Sequence, residues 1–448
     1  MESLLIGLIL FGALPVGLAT FLLALLRRAE QGPSSGPEAW KVAAARLGLE
    51  KVRWRAGYHG PRVRYRGEID GFIVQVQDSG GDPADTKPWA GHGTTAMRIL
   101  VEAPGGWPHN VQLHRRTTDK NDDGWPTGDP EFDARIRVNG SETHALALLD
   151  QRTRRAALAL VGEYGGALDS GTLYCDVGPA DADMVTLVAR FRRIVDLAAH
   201  LAAAEDPPTR LRGNSHEDPL ASVRLRNLTV LVEHLAAHPM TELACRAALD
   251  DRDHEVRLRA ATALGPGGHT ALMALALGDA TPETVAAEAA AQALRRLPEA
   301  AAREFFDRLI AQSPAPVLVA AMGALAERRL ADAAPAAIPL LHAPTHQVRI
   351  AAVGTLGVIA TTAAIEALHT AAASHPFDLE LHRVVNAAIA TIQSRAQGAA
   401  PGQLSLAVSG TGQVSLAGSN VAEGQLTIAS PDTGGATTDT SPDSGPRE

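Results

Sequence analysis

Cysteine is nearly missing from this chain. Two residues, Cys175 and Cys245, among 448 exclude a disulfide scaffold and a cysteine-based zinc site. Lysine is also scarce: Lys41, Lys51, Lys87 and Lys120 stand alone, and the other basic residues are arginine. That ratio, with abundant alanine, has the look of a GC-rich bacterial genome. Positive charge is not in excess. A net charge of −9 and an isoelectric point near 6.0 argue against a nucleic-acid partner. Nucleotide-binding and hydrolase signatures of the types GxxxxGK[ST], GxGxxG and GxSxG do not occur. Aromatic residues make up only 4%, yet all five tryptophans (Trp40, Trp54, Trp89, Trp107, Trp125) fall in one stretch, so that region is expected to have its own aromatic core.

What is present is apolar and ordered in blocks. Hydrophobic residues at 46% and charged residues at 20% suit packed cores and exclude a wholly disordered chain. The length predicts two or three domains. Leu4 to Leu26 holds no charged side chain. As a helix it would be about 34 Å long, enough to cross a hydrocarbon layer of roughly 30 Å. Met1-Glu2-Ser3 lacks the positive start of a cleaved signal, and Arg27-Arg28 closes the run. The sequence therefore predicts an N-terminal transmembrane helix over 1–28 and a linker over 29–37. It places the chain in a bacterial inner membrane as a single-pass protein whose C-terminal domains are cytoplasmic.

Residues 38–205 read as an α+β domain. A helix is expected over 38–48 and strands over Arg62–Glu68 and Phe72–Gln77, joined at Asp70-Gly71. Further strands are expected at Met97–Glu102, Val111–Arg115, Ala134–Val138 and Thr172–Val177. Helices are expected from His144 to Tyr164 and from Ala182 to Ala204. Strands followed by helices suggest an antiparallel sheet with helices on one face. The stretch TGDPEFDARIRV (127–138), with the helix ALALLDQRTRRAALAL after it, resembles domains of unknown function in bacterial membrane-anchored proteins. Asp119, Asn121 and Asp123, with Gly124, fit the first half of a calcium loop. Position 12 of that loop is Pro130 where a bidentate glutamate is needed, so the reading preferred is a solvated acidic turn.

From about residue 215 to 396 a nine-residue window repeats: VRLRNLTVL, VRLRAATAL, AAEAAAQAL, VLVAAMGAL, VRIAAVGTL and LHRVVNAAI. The starts, at 223, 256, 286, 317, 348 and 381, are 30 to 33 residues apart. A second apolar helical stretch lies between windows, with Gly and Pro at the joints. About six helix pairs are predicted, since two helices and two turns fill such a period and one pair cannot bury its own apolar stripe. The segment LDDRDHEVRLRAATALG (249–265) resembles the short bacterial, phycobilisome-lyase-like HEAT repeat. The resemblance implies an all-α HEAT-like α-solenoid. It also implies that Arg224, Arg257 and Arg349 pair with acidic residues of adjacent turns, for which Asp218 and Asp251 are placed.

HEAT-like repeats include deoxyhypusine hydroxylase, which holds two irons through four His-Glu dipeptides. Two occur here, His216-Glu217 and His254-Glu255, too few for two metals. His234 and His238 lack a third ligand, and Pro344 separates His342 from His346. No cofactor or metal is expected, and no catalytic residue is assigned. The function expected is a membrane-tethered scaffold for a protein partner, not an enzyme. The alternative is a metal-dependent HEAT-repeat enzyme of hydroxylase or lyase type. The second helix of each pair is expected to carry the binding surface, with Glu304, Arg308, Glu366 and His369 as partner contacts. Residues 397–448 are polar and small, with three echoes of the type GQLSLA, and are expected to form a disordered tail.

Overall fold

In a computed structural model, the described residues are 37–52, 63–78, 97–107, 109–116, 124–163, 165–178, 183–202 and 206–396, with two short strands at 404–406 and 414–416. The chain divides into two compact units, residues 1–324 and 325–448.

The first unit begins with helix α1 (Pro37–Arg46) and an eight-stranded antiparallel sheet. Its strands are β1 (Glu50–Lys51), β2 (Val63–Ile69), β3 (Phe72–Asp78), β4 (Met97–Glu102), β5 (Gln112–Arg115), β6 (Ile136–Asn139), β7 (Ala167–Asp169) and β8 (Thr172–Val177), in the order β1-β2-β3-β4-β8-β7-β5-β6. The β2–β3 hairpin closes on Asp70 and Gly71, with φ of 50° and 83°, the pair of left-handed residues that a tight hairpin requires. Alternation along β3, β4 and β8 sends Val74, Val76, Ile99, Val101, Leu173 and Cys175 inward, each fully buried. Helix α5 (Met184–Leu201) packs across β4 and β8, and α1 lies beside it. The Trp40 and Phe191 rings meet edge-on at 6.1 Å.

Local capping decides where the elements between β5 and β7 begin. Pro130 opens helix α2 (Pro130–Arg135), and the Asp129 side chain accepts the N–H groups of Glu131 and Phe132, so residues 134 and 135 are helical and the strand starts only at Ile136. The helix expected as one piece from His144 is two, α3 (Glu142–Leu148) and α4 (Gln151–Ala157), because Asp150 accepts the Thr153 N–H at 2.7 Å and starts a new helix. A π-helical turn, Leu158–Glu163, follows. The aromatic core is smaller than expected. Trp40 is buried, Trp107 stacks on Phe72 at its edge, and Trp125 is 41% exposed; Trp54 and Trp89 lie outside the described residues.

Helices then follow one another: α6 (Pro207–Glu217), α7 (Ala221–His234), α8 (Pro239–Ala248), α9 (His254–Ala263), α10 (His269–Leu277), α11 (Glu283–Arg296), α12 (Glu299–Gln312) and α13 (Ala315–Arg328), the last running across the division between units. The second unit continues with α14 (Ala334–Ala337), α15 (His346–Ile359), α16 (Ile365–Ser374) and α17 (Leu379–Ala396). Each repeated window lies in a helix of its own: α7, α9, α11, α13, α15 and α17. Small residues set the spacing of α15 and α17, since a Cβ on Gly357 would lie 2.9 Å from that of Ala388.

Two expectations about the chain's ends are corrected. Among the described residues no helix is long and apolar enough to cross a membrane, and Leu4 to Leu26 lies outside them. The fold that stands is a β-sheet region followed by a helical region, without an N-terminal transmembrane helix among the described elements. The tail is also not uniformly disordered: β9 (Leu404–Leu406) pairs antiparallel with β10 (Val414–Leu416). These are the first two echoes, whose alternating residues suit a strand. The third lies outside the described residues.

Candidate interaction surface

The helical region is stitched by arginines at one position. Arg154, Arg224, Arg257 and Arg349 are each the fourth residue of their helices, α4, α7, α9 and α15. Arg224, 2% exposed, donates from Nη1 back to the Asp218 and Pro219 carbonyls and from Nε and Nη2 forward to both carboxylate oxygens of Asp251, at 2.8 and 2.7 Å. Arg349 repeats the pattern. Its Nη1 donates to the Ala343 and Pro344 carbonyls, and Nη2 lies 3.8 Å from Asp378. A guanidinium presents donors in a rigid fork, so one side chain can close the preceding turn and clasp the loop that opens the next pair. Arg257 forms no such ion pair among the described residues, and its Nε, like that of Arg349, is buried without a hydrogen-bond partner among them.

The clasp begins inside the sheet region. Arg154, 1% exposed, donates to the Leu149 carbonyl, to Asp129 at 2.9 Å and to Asp218 at 2.9 Å. Helix α3 is shared between two cores. Ala145, Leu148 and Leu149 pack with the sheet, while Leu146 and Ala147 pack with α6 to α9. Its last carbonyls, which have no partner inside the helix, accept from Arg210 Nε at 3.0 Å and from Asn214 Nδ2 at 3.0 and 3.3 Å. Gly128, at φ +88°, brings its backbone against α7: Ser222 Oγ donates to its carbonyl at 2.5 Å, and a Cβ there would lie 2.5 Å from the Ser222 carbonyl oxygen. Glu142 pairs with Arg226 and lies 3.2 Å from His234 Nε2.

Electrostatics follow from this burial. Hydrogen bonds to Asp251 hold the Arg224 guanidinium above its ordinary value. Burial alone would push the Asp251 carboxyl up, but the Arg224 and Asp253 hydrogen bonds hold it below the usual range. Burial pushes the Cys175 thiol up to about 12 and the Cys245 thiol up to about 11, so both are inert core residues. Burial also lowers His109, whose Nε2 bonds the Leu201 carbonyl at 3.0 Å.

Glu304 and Arg308 are exposed on α12 in the first unit, and Glu366 and His369 are exposed on α16 in the second. Three of the other histidines have local partners. His234 faces Glu142, His238 caps α8, and His346 lies between Asp378 at 2.9 Å and Glu380 at 3.2 Å. His216-Glu217 ends α6 and His254-Glu255 starts α9. Among the described residues, no group of three or more His, Cys, Asp or Glu is arranged to hold a metal ion. The calcium-loop residues Asp119, Asn121 and Asp123 lie outside the described residues.

Two features escaped the sequence. Phe377, on the loop before α17, and Leu379, its first residue, are 95% and 80% exposed. A cavity of about 780 Å³ opens where α4, α6 and α8 meet, lined by Arg152, Arg212, Gly213, His216, Ala244 and Ala247 among others. Its residues come from four separate segments, so no local motif could announce it. No protein-family model matches the chain, and neither does any curated protein.

Proposed function

We propose that the chain is a HEAT-type repeat scaffold that binds a protein partner and performs no chemistry. The observation that supports this reading best is the recurring clasp, in which an arginine at the fourth helix position closes its own turn and grips an acid at the head of a later one. Such a device serves stacking of like units, and stacked units form an extended α-solenoid whose side chains are available for recognition. Glu304, Arg308, Glu366 and His369, on the second helices, are the proposed partner contacts. Phe377 adds an exposed aromatic of the kind enriched at protein interfaces.

A photo-crosslinking residue placed singly at 304, 308, 366 or 369 of the full chain, in cells, tests this. Adducts to one partner are expected at these positions and not at Arg295 or Arg328 on the window helices, and chelator should leave the yield unchanged. Equal adducts at both sets would remove the second-helix surface. Loss of adducts on chelation would favour a metal-dependent enzyme.

A further inference from the structure

The cavity at the head of the helical region is lined by three arginines and three acids, which are not equally committed to partners. Its floor is small: Ala244 and Ala247 on α8, and Gly213 on α6, where an added Cβ would meet nothing within 4 Å. Its carboxylates are largely consumed. Asp150 caps α4 and pairs with Arg210 at 3.5 Å. Asp218 is buried, pairs with Arg154 and accepts the Leu220 N–H. Glu217 remains. Against it stand Arg152 and Arg212, both exposed and on different helices, and neither forms an ion pair among the described residues. His200, on α5, and His216, on α6, also line it. Uncommitted charge facing the cavity is therefore positive, on a chain whose net charge is −9.

We propose that this cavity is the docking site for an acidic segment of a partner polypeptide, with Arg152 and Arg212 gripping its carboxylates. The inference rests on the scaffold reading and names the partner's chemistry. Cavities of this size hold ligands much larger than an inorganic anion. Polar walls over a floor of small residues suit a peptide backbone with short acidic side chains. Two arginines with a glutamate beside them lack the basic stripe that a phosphodiester chain requires. Guanidinium groups from two elements can each take a carboxylate bidentately, so they read spacing as well as charge.

The test is fluorescence anisotropy with the full chain and a fluorescein-labelled peptide of alternating glutamate and glycine. Binding that weakens with added salt is expected, and a lysine–glycine peptide should not bind. Arg152→Glu with Arg212→Glu should weaken binding by about tenfold or more, the scale of two pairs turned into repulsions. The milder pair Arg152→Gln with Arg212→Gln should weaken it less and serves if the reversal disturbs folding. Arg246→Glu, on α8 but outside the cavity, should leave it unchanged. No binding of the acidic peptide, an equal loss with Arg246→Glu, displacement by equimolar inorganic phosphate, or tighter binding of a single-stranded oligonucleotide would each overturn the proposal. The crosslinking residues lie elsewhere, so crosslinks without peptide binding would remove the acidic docking site alone. Peptide binding without crosslinks would remove the second-helix surface alone.

Discussion

Arg154 and Asp218 meet at 2.9 Å with side chains 1% and 2% exposed. Sixty-four positions apart in sequence, they join the sheet region to the helices that follow. A second carboxylate, Asp129, holds the same guanidinium, and Asp218 passes the connection on, because its carbonyl accepts from Arg224, which clasps Asp251. Sheet and first helices are therefore tied through buried charge that is stable only while every member is paired.

Arg154→Met leaves Asp129 and Asp218 buried without their cation. The expected loss is about 3–5 kcal/mol, the cost of an uncompensated buried charge. Adding Asp218→Asn should recover part of it by removing one of the stranded carboxylates. Urea denaturation of the full chain measures both, and a single variant that unfolds like the parent would show the network to be unimportant.

Core substitutions separate the two repeated leucines. Leu356 is fully buried on α15, whereas Leu264 caps the end of α9 and is only partly buried. Leu356→Asp should cost several kcal/mol, on the order of an unpaired charge in the core, and Leu264→Asp clearly less. Thermal melts of the two variants decide it; equal losses would place Leu264 deeper than its position indicates.

Stability should fall with acid in two stages. Burial lowers His109, so its contribution is complete above its ordinary value of about 6.5 and is lost as pH drops through the lower folded value. Asp251 is held below the usual carboxylate range, so its contribution is present above about 3.9 and disappears as pH falls through its folded value. Denaturant midpoints measured across pH should lose the first stage in His109→Asn and the second in Asp251→Asn. A parent midpoint that stays flat down to pH 4 would remove the His109 contribution.

Sequence alone determined what depends on near neighbours. Asp70-Gly71 sets the hairpin because the turn needs two residues at positive φ. The helix series was legible because each window carries its own apolar period and its own stop signals. Capping lies at the limit of that legibility: Asp129 and Asp150 are ordinary acids in sequence, yet each restarts the backbone and moves an element boundary. Tertiary structure alone decided which distant partner each charge meets. Arg152 and Arg154 stand two residues apart in one basic run, but the first faces an open cavity and the second is sealed between two carboxylates. Nothing in QRTRRAALAL (151–160) separates them, because burial is a property of what packs above the helix and not of the helix itself.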